Sequence, residues 1–267
     1  MPHKPNIALV IPCYNEEARL DTGAYTSFLS RFPVDVYFVD DGSRDNTRAV
    51  LDRLQSAHPD QVRVVVLENN RGKAEAVRQG VLASLDAGHP LVGYFDADLS
   101  TPLDAALELA DSLKRDGVKL VMGSRVKMMG RDISRRAVRH YLSRIFSTIV
   151  CLILGMNFYD TQCGAKLFVN TAQTRRIFSF PFQVGWTFDV ELIWRFYLAF
   201  AAPGFNPEAI MREYPLMVWR DVAGSKVSYR DAVKIAKELV RLHRLTRDAA
   251  YPNRLLAEPD PRPWPRG

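Results

Sequence analysis

The segment LVGYFDADLS, residues 91–100, places two aspartates one residue apart, Asp96 and Asp98, at the end of the short apolar run Leu91–Phe95. A bounded apolar run of this length fits a strand buried in a parallel sheet, and open α/β sheets bind ligands beyond the carboxyl ends of their strands. Two hard carboxylates at such a point suit a divalent cation that keeps several waters and takes its other ligands from phosphates, so Mg2+ or Mn2+ is the expected cofactor. Asp-x-Asp alone is a weak signal because turns are rich in aspartate. Its weight depends on what shares its edge of the sheet.

Other chemistries lack their residues. No two glycines are spaced as G-x-G, and LENNRGK has Leu67 where a P-loop needs its first glycine, which sets aside dinucleotide and P-loop chemistry. There is no G-x-S-x-G, the histidines at 3, 58, 89, 140 and 243 are scattered, and Cys13, Cys151 and Cys163 show no paired spacing. Serine hydrolase, zinc and disulfide readings lose support, and a reducing compartment is expected.

The elements that must position the aspartates follow a regular rhythm. Strand-like runs at 7–11, 34–39, 62–67, 91–95 and 118–122 alternate with helical patterns, one of them starting at Thr101-Pro102 and ending at Gly117. This alternation predicts an α/β fold, a mostly parallel central sheet with helices on both faces. Polar motifs follow the strands on one predicted edge: IPCYNEE, VDDGSRDNT, NNRGKAEAVRQG and GSR. Asp40 reads as a partner for backbone donors after its strand, and Ser43 or Asp45 as a cap for the next helix. Lys73 opens a helix, where a cation opposes the dipole, so a phosphate-directed role is expected.

With 267 residues, 47% hydrophobic and 25% charged, the chain is globular, and its net charge of +6 points to an anionic partner. That charge leaves nucleic acid, a nucleotide or a phospholipid surface open as the partner. Residues 125–147 hold seven Lys or Arg against one acid, Asp132. The apolar stretch Tyr141–Phe158 carries Arg144 and falls short of the roughly 20 residues needed to span a bilayer, so it reads as a buried core helix or an interfacial segment. Lys226, Arg230, Lys234, Lys237, Arg241 and Arg244 recur at helical spacing as one cationic stripe, with Ala232, Ile235, Ala236, Leu239 and Leu242 on the other side. The apolar run at 7–11 is shorter than the roughly seven to fifteen residues of a signal-peptide core. A cytoplasmic protein, peripheral on the inner face of a membrane and without a transmembrane segment, is expected. The chain divides into residues 1–126, residues 127–248 of the same domain and a Pro-rich, poorly ordered tail (249–267).

In this order the strand-end motifs resemble the family 2 glycosyltransferases, which have the GT-A fold and use nucleotide-diphosphate sugars. DTQCGAKLF (160–168), WTFDVELIWR (186–195) and VWRDVAGSKVS (218–228) resemble the branch of dolichyl-phosphate glucosyltransferases and bacterial polyprenyl-phosphate glycosyltransferases, with Ala165 standing in place of a bulkier aromatic. The resemblance implies that Pro12, Tyr14, Glu16 and Asp41 line the nucleoside pocket, that Asp96 contacts the ribose or metal, and that Asp98 is the principal metal ligand. UDP-glucose is the donor it implies, and the expected partners are a nucleotide-diphosphate sugar, a polyprenyl phosphate and an anionic membrane surface, with no nucleic acid. Residues 1–126 become the nucleotide-sugar-binding half and 127–248 the acceptor-binding and membrane-associating half.

A sugar leaving a nucleoside diphosphate develops negative charge there, which a metal on Asp98 and fixed cations, with Arg125 and Lys226 as candidates, would stabilise. An acceptor phosphate is already anionic and needs positioning cations more than a base; Arg139 and Lys166 are the candidates, with Gln162 beside them in TQCGAK. The expected activity is an inverting, metal-dependent transfer of a hexose to a polyprenyl phosphate. One alternative is transfer to a saccharide or protein hydroxyl with Asp189 as base. The other is a non-catalytic module that binds nucleotide sugars or anionic lipids.

Overall fold

The computed structural model describes residues 6–115, 117–134, 137–200, 206–222 and 229–256, with the side chains of 137–139 and 229–232 left aside. The first half alternates strictly: β1 (Ile7–Cys13), α1 (Thr22–Arg31), β2 (Val34–Asp41), α2 (Thr47–Ala57), β3 (Val62–Leu67), α3 (Lys73–Asp86), β4 (Leu91–Phe95), α4 (Ala105–Leu113) and β5 (Leu120–Ser124). All five expected strands are present. The helix expected from Thr101 begins a turn later, at Ala105, because the Pro102 carbonyl closes a turn onto the Ala105 amide before regular helix starts.

The second half adds β6 (Asp132–Ser134), α5 (Ala137–Leu154), β7 (Ala165–Val169), α6 (Ala172–Ser179), α7 (Phe188–Phe200), β8 (Met211–Pro215), β9 (Val218–Arg220), α8 (Tyr229–Arg247) and α9 (Tyr251–Leu256). The seven-stranded sheet has the order β3-β2-β1-β4-β7-β5-β8. β7 runs antiparallel between β4 and β5, and the other pairings in this sheet are parallel. Strand order reverses between β1 and β4, where the β1–β4 ladder ends at Val10 and Tyr94 while β1 continues beside β2 to Cys13. This divergence opens the crevice that such sheets use for ligands.

Alternating residues of each strand feed opposite cores, as a sheet covered on both faces requires. Ile7, Leu9 and Ile11 pack with Tyr25, Phe28, Leu51 and Leu109 of α1, α2 and α4. Ala8 and Val10 pack with Val77, Val81, Ile193 and Phe196 of α3 and α7.

α5 combines both sequence readings of its apolar stretch. Ser147, Val150 and Leu154 face the protein, while Tyr141 (68% exposed), Leu142 (62%), Ile145 (59%) and Leu152 (79%) face outward. Among the described residues no helix is long and apolar enough to cross a membrane. The expected loose tail is corrected in part. α9 docks through buried Tyr251 and Leu255, because the Tyr251 hydroxyl sits between Glu191 and Arg195 in an apolar surround; residues 257–267 lie outside the described residues.

Candidate active site

One cleft of about 1590 Å³ opens along the carboxyl edge of the sheet and gathers most of the sequence-derived candidates: Pro12, Tyr14, Glu16, Asp41, Lys73, Asp96, Asp98, Arg125, Gln162 and Asp189 all line it. β1 and β2 end in the first group, α3 begins with Lys73, and β4 delivers the aspartates. Gln162 arrives by a different route. Because β7 is antiparallel, its first residue, Ala165, pairs with Phe95 at the last position of β4, so the TQCG segment that precedes β7 meets the edge where β4 ends. The Gly164 carbonyl accepts from the Asp96 amide at 3.0 Å, and a Cβ on Gly164 would meet Asp96 Oδ2 at 2.0 Å. Only glycine fits so close to the carboxylate.

The aspartate pair is held by complementary charges. Asp96 pairs with Lys73. Asp98 Oδ1 accepts from the Ser100 amide at 3.0 Å, and its Oδ2 faces Arg19 at 3.4 Å. Enclosure works against the charge on Lys73, but Asp96, Asp189 and Asp98 outweigh it, and the amine titrates above the ordinary lysine value. Asn15 (φ 51°) and Leu99 (φ 54°) are the non-glycine residues with left-handed backbone among those described, one in the loop after β1 and one directly after Asp98. Such a conformation costs roughly 1–2 kcal/mol per residue and concentrates at functional sites.

Asp41 spends both oxygens on the loop before α3, accepting from the Arg71 amide at 2.7 Å and the Gly72 amide at 2.8 Å. Burial raises its pKa, and the two amides partly oppose the rise. Its carboxylate thereby seats Lys73 opposite Asp96.

Arg125 is buried in a fork with Asp160, Nε to Oδ2 at 2.6 Å and Nη2 to Oδ1 at 2.7 Å, under the Trp219 ring. Burial works against its charge but Asp160 prevails, so the guanidinium stays protonated. The expected bare cation for the diphosphate is therefore a neutralised pair at the cleft wall.

Lys166 is corrected more strongly. Its side chain is fully buried, it does not line the cleft, and its Nζ donates to Asp189 Oδ1 (2.5 Å), the Cys163 carbonyl (2.8 Å) and the Thr161 carbonyl (3.1 Å). Tyr94 donates to the same Asp189 oxygen. Register explains the burial: Lys166 pairs with Tyr94 in mid-sheet, one residue short of the strand end. An amine with these partners braces the cleft from behind and cannot clamp a phosphate within it. Lys226 lies outside the described residues, as does the side chain of Arg139 in the first turn of α5.

Arg19 and Asp160 were not among the sequence candidates. Arg19 follows the NEE motif by two residues, and Asp160 begins DTQCGAK; each was recoverable only as the missing opposite charge for an already chosen partner.

The aspartates suit a hard divalent cation. Their side chains keep 38% (Asp96) and 25% (Asp98) exposure toward the cleft. Among the described residues no group of three or more metal-ligating side chains converges. Two carboxylates with the remaining ligands left to phosphate and water are what Mg2+ or Mn2+ ordinarily takes at nucleotide sites.

A strand-order reversal, acidic strand ends and an inserted antiparallel strand define a GT-A type transferase fold. The profile of the family described as "Glycosyl transferase family 2" matches residues 8–179, and the chain belongs to that family of glycosyltransferases. It is 32% identical over 254 residues to the dolichyl-phosphate beta-glucosyltransferase of Saccharomyces cerevisiae, covering 88% of this chain and 73% of the relative. The Homo sapiens protein of the same name is 31% identical over 262 residues, covering 90% and 76%. Among solved structures, a mannosyltransferase from Pyrobaculum calidifontis in complex with GDP-Man and Mn2+ superposes with a TM-score of 0.61 at 20% identity, covering 93% of this chain and 66% of that one. The glucosyl-3-phosphoglycerate synthase of Mycobacterium tuberculosis with Mn2+, UDP and phosphoglyceric acid gives 0.60 at 20% identity, covering 89% and 78%.

Proposed function

We propose that this chain is an inverting, metal-dependent hexosyltransferase that moves glucose from UDP-glucose to a polyprenyl or dolichyl phosphate at the cytoplasmic face of an anionic membrane. The observation that carries this reading is the lining of the cleft, which joins the aspartate pair at the strand ends to apolar side chains of α5 and α8, namely Leu142, Ile145, Phe146, Ile149, Ile235 and Leu239. A water-soluble acceptor has no use for such a wall. An isoprenoid chain has. The sequence similarity to dolichyl-phosphate beta-glucosyltransferases supports the same acceptor class.

In this reading Pro12, Tyr14, Glu16 and Asp41 shape the nucleoside end, and Asp96 and Asp98 would hold Mg2+ or Mn2+. The metal supplies Lewis-acid stabilisation of the charge that develops on the leaving diphosphate. Lys73 adds a cation at the same point. A phosphate oxygen of the acceptor attacks the anomeric carbon from the side opposite the diphosphate, the sugar–diphosphate C–O bond breaks with its electron pair going to UDP, and the configuration inverts. The acceptor oxygen carries no proton to remove. Asp189 is accordingly used as a brace, its Oδ1 bonded by Lys166 and Tyr94, and Arg139 and Gln162 are the groups assigned to the acceptor phosphate.

The test is to incubate the purified protein with a short polyprenyl phosphate and a panel of UDP- and GDP-sugars, with Mg2+ or Mn2+. A lipid-linked hexose formed fastest from UDP-glucose is expected. Transfer to saccharide or protein hydroxyls with none to the lipid phosphate would replace this acceptor class by the hydroxyl alternative.

A further inference from the structure

We infer that Glu238, on α8, is a positioning residue for the acceptor side of the transfer. Its carboxylate gathers three consecutive main-chain amides just before α7: Gly185 to Oε1 at 3.2 Å, Trp186 to both oxygens at 3.1 and 3.0 Å, and Thr187 to Oε2 at 2.8 Å. The Thr187 hydroxyl adds a fifth bond at 2.9 Å. Gly185, Trp186, Phe188 and Asp189 line the cleft, so the segment held by Glu238 is cleft wall.

The local chemistry favours this clasp. α7 begins at Phe188, and the Thr187 carbonyl accepts from the Val190 amide, so the clasped amides are those that precede the first turn and have no intrahelical acceptor. An anion there meets the positive end of the helix dipole and makes charge-assisted hydrogen bonds, roughly twice as strong as neutral ones. Glu238 shares the side of α8 that faces the protein with Leu242, which is fully buried, and Leu239, which packs on the core. Lys234 and Arg241, one turn before and after Glu238, flank it on the same side, while the exposed Lys237 and Arg244 lie round the helix from it. Glu238 thus ties α8 to the wall carrying Trp186 and Asp189 through five hydrogen bonds, beside the bond of Arg241 to Gln183 at 3.2 Å.

The inference rests on the proposed acceptor, and it makes a distinction that acceptor alone does not. Pro12, Tyr14, Asp41 and the aspartate pair stand on or directly after β1, β2 and β4, whereas the hydrogen bonds of Glu238 run to 185–187, so loosening 185–187 leaves donor binding in place and misplaces the acceptor. The experiment compares wild type, Glu238→Gln and Glu238→Ala as full-length proteins in three measurements: titration calorimetry with UDP and Mn2+, initial rates against polyprenyl phosphate, and amide hydrogen exchange over 185–187. Glu238→Ala is expected to lower kcat/KM for the acceptor by about tenfold or more, since displacement of about 1 Å can cost that much. Its UDP affinity should stay within about twofold of wild type, and residues 185–187 should exchange faster. Glu238→Gln, which keeps one acceptor oxygen, should fall between. Wild-type acceptor kinetics in Glu238→Ala, unaltered exchange, or a loss of UDP affinity in parallel with rate would overturn the inference. If wild type makes no lipid-linked hexose, the acceptor reading is what fails, and the same comparison is then made on the acceptor that wild type does glycosylate.

Discussion

At the scale of single residues, the site is built from carboxylates whose roles are set by what each faces. Asp98 is the cleanest test. Asp98→Asn keeps the shape and the Ser100 amide bond but replaces a charged hard ligand by an amide, a much poorer donor for Mg2+ or Mn2+. Turnover should fall by at least about a thousandfold with an unchanged melting curve, and EDTA should abolish wild-type activity. Near-normal rates in the variant would remove the metal from the opening motif. Lys166 gives the opposite pattern. Lys166→Met leaves Asp189 buried with Tyr94 as its remaining side-chain donor, and breaking a buried pair costs roughly 3–5 kcal/mol, so the melting temperature should drop and UDP binding and acceptor kinetics should both decline. Loss of acceptor affinity alone, with an intact melt, would restore the phosphate clamp. These two residues also show what a sequence carries at this scale. Asp98 was legible because its strand and neighbours announce an edge, whereas Lys166 was misassigned because TQCGAK gives no sign of which residue is last before the ladder begins. Only the pairing of Lys166 with Tyr94 decides that its amine turns inward.

At the scale of elements, the alternating apolar runs and helical patterns of residues 7–124 were readable, since each strand is mostly apolar and polar motifs follow the strands. β7 was not, because a five-residue strand containing a lysine and lying between a glycine and a helix cap has no strong period of its own; its stability comes from two neighbours distant in sequence. Its closeness to β4 is set by Gly93, where an added Cβ would meet the Lys166 carbonyl at 2.2 Å and Leu167 Cδ1 at 2.6 Å. The backbone cannot yield to this contact without moving the strand. Gly93→Ala is therefore expected to destabilise the protein by about 1–3 kcal/mol, seen as a melting temperature lowered by several degrees. Because β4 carries Asp96 and β7 carries the turn that holds its amide, activity at a permissive temperature should fall as well. A fully active, equally stable Gly93→Ala protein would mean that the β4–β7 spacing is not what seats the aspartates.

At the scale of the whole molecule, the cleft and the outward apolar side chains are parts of one surface. Leu142, Ile145 and Ile149 are exposed and line the cleft at the same time, and Lys234 and Ile235 of α8 complete that wall beside the exposed cations Lys237, Arg241 and Arg244. In the proposed function this face holds both the acceptor entrance and the charge that attracts an anionic membrane. Each Lys or Arg near an anionic bilayer is worth about 1 kcal/mol at physiological ionic strength, and apolar side chains that enter the interface add about 25 cal/mol for each Å² removed from water. The electrostatic part is screened by salt and the apolar part is not, so the two can be separated. Sedimentation with vesicles containing phosphatidylserine should pellet the protein at low salt, lose most of it at about 0.5 M salt as the screening length shortens, and pellet little with neutral lipid alone. Lys237→Glu combined with Arg244→Glu, both far round the helix from Glu238, should weaken binding by roughly tenfold or more from the lost attraction alone, with transfer to a detergent-dispersed short-chain acceptor preserved. Leu152→Ser should weaken binding equally at low and high salt, since it removes only apolar contact. Pelleting that ignores salt, or none on anionic vesicles at low salt, would show that this face serves some purpose other than holding the cleft against a membrane.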